Sequence, residues 1–223
     1  MSTLARTSPF STTIGRKFIV SLTGLFLVSF LIVHLSGNLL LLKGDNGEAF
    51  NEYAHFMGTN PIIRTMEIVL FGGIILHIFT ALKHTLHNRR SRPVGYKVNK
   101  KSPQTTNYGR FMAISGTIVL IFLILHLVNF WIPHRFGVMG EVASLYQRVV
   151  NLFEQPGYVA FYVLSMGLVG YHLAHGFQSA FQTLGLQVNK SLGGVIQGIG
   201  YLFAVILPIG FALIPLLMFF DLP

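Results

Sequence analysis

Residues 15–42 read GRKFIVSLTGLFLVSFLIVHLSGNLLLL. Two cations open the stretch, no formal charge follows from Phe18 to Leu42, and one titratable ring, His34, stands inside it. A run of this length exceeds the ~20 residues that a helix rising ~1.5 Å per residue needs to cross a bilayer. Four more apolar runs follow at roughly 62–88, 108–132, 157–184 and 195–219. They predict an all-α integral membrane bundle of five transmembrane helices in a single domain, 1–223. Composition agrees: 52% of residues are hydrophobic, 10% are charged, and the mean hydropathy is +0.61, whereas soluble domains carry charge on about a quarter of their residues. The first run is too long for the apolar part of a signal peptide and is followed by Gly37 and Asn38 instead of a small-residue cleavage site, so it is expected to remain in the mature chain.

Charge is sorted between the connections. Arg6, Arg16, Lys17, Lys83, Arg89, Arg90, Arg92, Lys97, Lys100, Lys101, Arg110 and Lys190 collect on one side. The other side has Lys43, Arg64, Arg135 and Arg148 together with all seven acids. Lys and Arg favour the cytoplasmic face, so the N-terminus and the loops around 85–107 and 185–194 are expected in the cytoplasm and the C-terminus outside, across a cell inner membrane. A net charge of +9 distributed in this way reflects topology and gives no reason to expect nucleic acid. The chain has no cysteine, which excludes disulfides, thiolate-held iron–sulfur clusters and thioether-linked haem within it.

Four histidines lie deep in four different runs, where a titratable ring is costly and marks a functional site. His34 is 17 residues past Lys17, His126 is 16 past Arg110, and His77 and His172 are each 16 past Pro61 and Pro156. If successive helices alternate in direction, His34 and His126 share one level and His77 and His172 another. Two levels of paired imidazoles fit two axial bis-histidine haems stacked along a bundle. A proton relay would mix acids with the histidines, and none lies mid-span. A zinc site would gather four ligands at one level.

The first and third runs overlay at an offset of 92 residues, which sets Gly24 on Gly116, Phe30–Leu31–Ile32 on Phe122–Leu123–Ile124 and His34–Leu35 on His126–Leu127. The second and fourth overlay at 95, setting Pro61 on Pro156, His77 on His172 and Ala81 on Gly176. The chain reads as a duplicated helical hairpin plus one helix. Its matched small residues permit close approach of a flat macrocycle or a neighbouring helix. His84 and His175 match no partner in depth and are expected near the cytoplasmic edge, with His87 in the basic loop and His134 at the surface beyond the third run. Segments 48–58 and 141–154 have apolar residues at helical spacing, namely Phe50, Tyr53, Phe56 and Met57 in one and Val142, Leu145, Val149 and Leu152 in the other. Both suggest amphipathic helices lying at the membrane surface. In the first, Glu52 and His55 supply proton exchangers beside Tyr53 and Phe56, the ingredients of an outer quinone site. An inner site near Arg16, Ser21 and Lys83 competes with it.

The pattern G24-x9-H34-L35-x2-N38, E67-x9-H77-x3-A81-L82, S115-G116-x9-H126 and H172-x3-G176-F177-x-S179 resembles the single-chain di-haem cytochrome b membrane anchors of succinate dehydrogenases and fumarate reductases, across all five helices. The resemblance implies an outer haem b on His34 and His126 and an inner haem b on His77 and His172. It also implies a flavoprotein and an iron–sulfur subunit on the cytoplasmic face, and a quinone, usually menaquinone, as electron partner. Fumarate reductases of this family use an acid near the start of the second helix as proton acceptor; here Asn51, Glu52 and Glu67 compete for that place. No dinucleotide-binding loop is present, so succinate chemistry would belong to a partner. The alternatives are a cytochrome b subunit of a hydrogenase or formate dehydrogenase, and a haem-free transporter or anchor.

Overall fold

The computed structural model describes residues 12–90, 107–140, 142–186 and 189–221. Arg6, Arg92, Lys97, Lys100, Lys101 and Glu141, used above to sort charge, lie outside the described residues. The described chain is helical, with no strand among those residues: α1 Thr13–Asn38, a 3₁₀ turn Leu39–Leu42, α2 Glu48–Thr59, α3 Pro61–Arg90, α4 Asn107–His126, a π-helical turn Leu127–Trp131, α5 Ile132–Phe136, α6 Leu145–Phe153, α7 Pro156–Thr183 and α8 Lys190–Phe219. Five spans are long and apolar enough to cross a membrane, at Thr13–Leu42, Pro61–Asn88, Phe111–Phe136, Pro156–Thr183 and Lys190–Phe219. The protein is a multi-pass, all-α membrane protein.

Local sequence explains where the helices begin. Thr12 accepts from the Gly15 amide at 3.0 Å, Ser144 from Gln147 at 3.2 Å and Asn189 from Leu192 at 2.8 Å, each satisfying an otherwise orphaned N–H of the first turn. Pro61 and Pro156 occupy first helical positions, where the missing N–H costs nothing. The fifth span starts at Lys190, five residues earlier than its hydropathy suggests, because Asn189 caps it there. The third runs on to Phe136, past Pro133, so His134 sits in its last exposed turn instead of beyond it.

That extension has a specific support. Pro133 has no N–H to return to the preceding turn, the Ile132 amide reaches five residues back to the Leu127 carbonyl, and the Asn129 carbonyl accepts from Nε of Arg148 on α6. A second Arg148 nitrogen reaches the Met139 carbonyl at 3.5 Å. The amphipathic α6 is thereby fastened across the end of the third span. Its buried residues are Val149 and Phe153, one turn apart, with Leu145 and Leu152 flanking them half-buried.

Helix α7 is the hub, packing on α1, α4 and α8, while α1 also packs on α3. Helices α7 and α8 approach closely at Gly170, where an added Cβ would stand 2.8 Å from the Ala204 carbonyl, the group that Pro208 leaves without its helical donor. The core follows this seam, through Tyr162, Leu173 and Phe177 on α7 and Ala204, Leu207 and Ile214 on α8. In contrast, α3 and α4 expose rows of large apolar side chains such as Ile68, Ile75, Ile121 and Ile124. Such faces suit lipid. Helices α3 and the third span meet through Trp131, which donates to Glu67 at 2.6 Å and packs on Phe71 at 4.7 Å between ring centroids.

At the end of the bundle that follows His34, residues 44–47 turn the chain from α1 into α2. Gly47 has φ +80°, and the ring of Tyr146 fills the place of its absent side chain, so any other residue there is both strained and displaced. Asn51 on α2 accepts from the Tyr146 amide at 3.1 Å, which caps α6 from a different helix.

Candidate metal centre

The four deep histidines fall into two groups, one at each end of the bundle. His34 and His126 meet directly, with ring centroids 5.8 Å apart and planes at 89°. This brings two candidate nitrogen donors from α1 and α4 to one level of the bundle. An aromatic cage encloses the pair. One turn before each, Phe30 and Phe122 stack on the rings at 5.1 and 5.7 Å, the same matched position in the repeat. Phe130 and Tyr162 also contact the His126 ring, and Phe211 contacts that of His34.

His77 and His172 occupy the other end. Gly24 on α1 faces His77, where an added Cβ would be 3.3 Å from Cε1, and Gly116 on α4 faces His172 in the same way at 3.4 Å. Each glycine therefore makes room for the histidine of the other level, not for its own, which lies ten residues and about 15 Å further along the same helix. Gly176 abuts Met112 of α4 and so serves helix packing.

The residue before each glycine carries a hydroxyl, and sequence reasoning passed over this except for Ser115 in the motif. Thr23 Oγ1 lies 3.0 Å from His77 Nδ1, and Ser115 Oγ lies 3.4 Å from His172 Nδ1. Both hydroxyls donate to their own helix, Thr23 to Ile19 at 2.8 Å and Ser115 to Met112 at 3.1 Å, which turns their oxygens into acceptors. The ring proton then sits on Nδ1, and Nε2 keeps a lone pair for a metal. At the level of His34 the Tyr162 hydroxyl stands 3.5 Å from His126 Nδ1. Asn38 lies 3.4 and 3.5 Å from the two nitrogens of His34, while its amide donates to the His34 carbonyl at 2.7 Å. The overlay of Thr23 on Ser115 at the 92-residue offset was the signal that would have found the inner pair of hydroxyls.

No cluster of three or more His, Asp or Glu side chains that could hold a metal ion occurs among the described residues. The donor set is two imidazoles at a time, set in aromatic or apolar walls, which fits the axial positions of a macrocycle-bound iron. Buried polar atoms beyond His77 on α3, Thr80 Oγ1 and His84 Nδ1, have no partner among the described residues, as expected where a polar edge of a bound group would lie.

The outer segment separates the candidate quinone residues. Tyr53 turns toward the bundle, with its ring against Gly37, one turn past His34. Burial pushes its hydroxyl above the ordinary value of 10, so it remains a donor at any physiological pH. Glu52 and His55 are exposed on another face of α2, beside the exposed Phe56. Near the start of α3, Glu67 is ion-paired with Arg64 and bonded to Trp131; Asn51, an amide on α2, accepts from α6. His84 is bonded to Asn88 at 3.2 Å.

Over 165 residues the chain is 26% identical to the succinate dehydrogenase cytochrome b558 subunit of Bacillus subtilis (strain 168), a match covering 72% of this chain and 74% of that protein. No family model and no solved structure matches it. In its five apolar helices and in this similarity, the chain resembles the cytochrome b membrane anchors of succinate dehydrogenase.

Proposed function

We propose that this chain is the di-haem b anchor and electron-transfer subunit of a succinate:quinone oxidoreductase. The observation that carries the reading is the arrangement of its four deep histidines as two sets, one at each end of the bundle, with donor-directing hydroxyls repeated at the inner set. His34 and His126 would hold the outer haem, and His77 and His172 the inner one. When bound, a haem supplies a one-electron carrier, and two of them set about 15 Å apart along α1 would span much of the bilayer.

The chain's own residues do the rest. Thr23 and Ser115 fix the tautomer and orientation of the inner rings, so that Nε2 is presented without rearrangement. Phe30, Phe122, Phe130 and Tyr162 keep water from the outer rings. Glu52, exposed and without a side-chain partner among the described residues, together with His55, would exchange protons for a quinone at the outer end, with Tyr53 donating from the bundle side. In this reading the end bearing Arg16, Lys83 and Arg90 faces the cytoplasm, where the flavoprotein and the iron–sulfur subunit dock, and the quinone is menaquinone. Succinate itself is handled by the partners.

The test is purification of the assembled complex from membranes. The expected result is a reduced-minus-oxidised spectrum of haem b, co-purification of a flavoprotein and an iron–sulfur subunit, and succinate-dependent quinone reduction. Co-purification of a hydrogenase or formate dehydrogenase subunit would transfer the chain to that class, and absence of a Soret band would make it a haem-free anchor.

A further inference from the structure

A cavity of about 320 Å³ opens on the flank of α1 and α3 at the end of the bundle opposite His34. Its floor is apolar, formed by Phe79, Leu82 and Leu86 on one face of α3, side chains that are 58%, 55% and 44% exposed and so turned toward lipid. Its rim is basic: Lys83 and Arg90 lie on that same face, His87 stands beside them, and Arg16 approaches from α1. Residues 79, 82, 83, 86 and 90 recur at helical spacing, so apolar stems and cationic heads form one continuous strip from the hydrocarbon region toward the helix end.

Arg16 makes this more than a solvated basic edge. It is only 4% exposed, its Nε has no partner among the described residues, and its guanidinium makes one hydrogen bond there, a long one of 3.5 Å to Thr13. The two ion pairs among the described residues, Lys43–Asp45 and Arg64–Glu67, both belong to the other end of the bundle. All seven acids of the sequence are assigned to that other end by the alternation of the helices. A buried guanidinium without a carboxylate is costly unless an anion from outside the chain completes it.

We propose that this cavity is a binding site for an anionic phospholipid of the leaflet that meets this end of the helices. The headgroup phosphate is held by Arg16, Lys83 and Arg90, and an acyl chain lies along Phe79, Leu82 and Leu86. A lipid matches both halves of the strip, whereas a free anion uses only the rim. A guanidinium can offer the phosphate two parallel N–H groups, and Lys83 adds a point charge.

Native mass spectrometry of the purified, delipidated complex tests the site, with dioleoylphosphatidylglycerol and dioleoylphosphatidylcholine added in parallel. The wild type should retain the anionic lipid preferentially. Each surface cation removed should weaken that preference roughly fivefold, so the Lys83→Gln/Arg90→Gln double variant should lose it by about 25-fold. Both side chains are exposed, and haem content and subunit stoichiometry are read on the same preparation, so that lipid preference is scored on assembled complex and separately from the electron-transfer reading. Arg16→Gln should abolish the preference outright; if that variant does not assemble, the double variant still decides. Equal retention of the two lipids by the wild type, or an undiminished preference in the double variant, overturns the proposal. Displacement of the lipid by millimolar inorganic phosphate also overturns it, in favour of a simple anion site.

Discussion

Substitution of Gly24 or Gly116 should damage the haem of the opposite level from the histidine carried by the same helix. At Gly24 an alanine Cβ would stand 3.3 Å from His77 Cε1, and at Gly116 it would stand 3.4 Å from His172 Cε1, so the imidazole must yield by a few tenths of an ångström at most. Valine adds γ-carbons about 1.5 Å further out, which forces the ring back by on the order of 1 Å. That displacement is half of a metal–nitrogen bond of about 2 Å, and overpacking of this kind costs about 1–3 kcal/mol even without a ligand. Gly24→Ala and Gly116→Ala should therefore retain both haems, with the inner midpoint potential shifted. Gly24→Val and Gly116→Val should each lose the inner haem and keep the outer one. The assay is a pyridine haemochrome ratio combined with a redox titration of the purified complex. Selective loss of the outer component, or two haems at unchanged potentials in both valine variants, would refute the reasoning.

Other consequences can be checked in the same preparations. Arg148→Ala removes the donor to the part-buried Asn129 carbonyl, a cost of about 1 kcal/mol; thermal loss of the Soret band should begin at lower temperature, and an unchanged melting curve would show that α6 does not brace this end. Glu52→Gln should slow quinone-dependent turnover while sparing succinate oxidation by an artificial acceptor. Glu67→Gln keeps an acceptor for Trp131 and should leave quinone kinetics near normal; the reverse pattern would move the proton exchanger to α3. A reporter fused after Lys101 should read cytoplasmic and one fused after Pro223 external, and the opposite pair of signals would put the docking face on the wrong side.

The five spans were legible because hydropathy reports transfer to lipid directly, and the duplicated hairpin because histidines and glycines are rare enough in apolar sequence for their register to stand out. The roles of the glycines were not legible. Depth along one helix says which residues share a level, but not which neighbour fills the space beside Gly24, and that neighbour proved to be His77 on α3. The hydroxyls of Thr23 and Ser115 were hidden for a similar reason, since an isolated Thr or Ser in a membrane helix usually bonds its own backbone, as both do here, and only the packed structure brings a ring nitrogen to the same oxygen. The end of the third span was missed because Pro133 reads as a terminator. The donor that lets the helix pass it comes from Arg148, on a separate helix. The outer segment was correctly expected to be helical, but its residues were grouped by closeness in sequence, and the helix turns Tyr53 away from Glu52 and His55.

The central claim is that the four histidines act as two pairs, and haem content in four single variants tests it most directly. With each histidine replaced in turn by alanine and the complex purified, the account predicts two haems b per chain in the wild type. It predicts loss of one and the same spectral component from His34→Ala and His126→Ala, and loss of the other from His77→Ala and His172→Ala. A wild-type ratio of one haem or none, or loss of a common component from His34→Ala and His77→Ala, would contradict it.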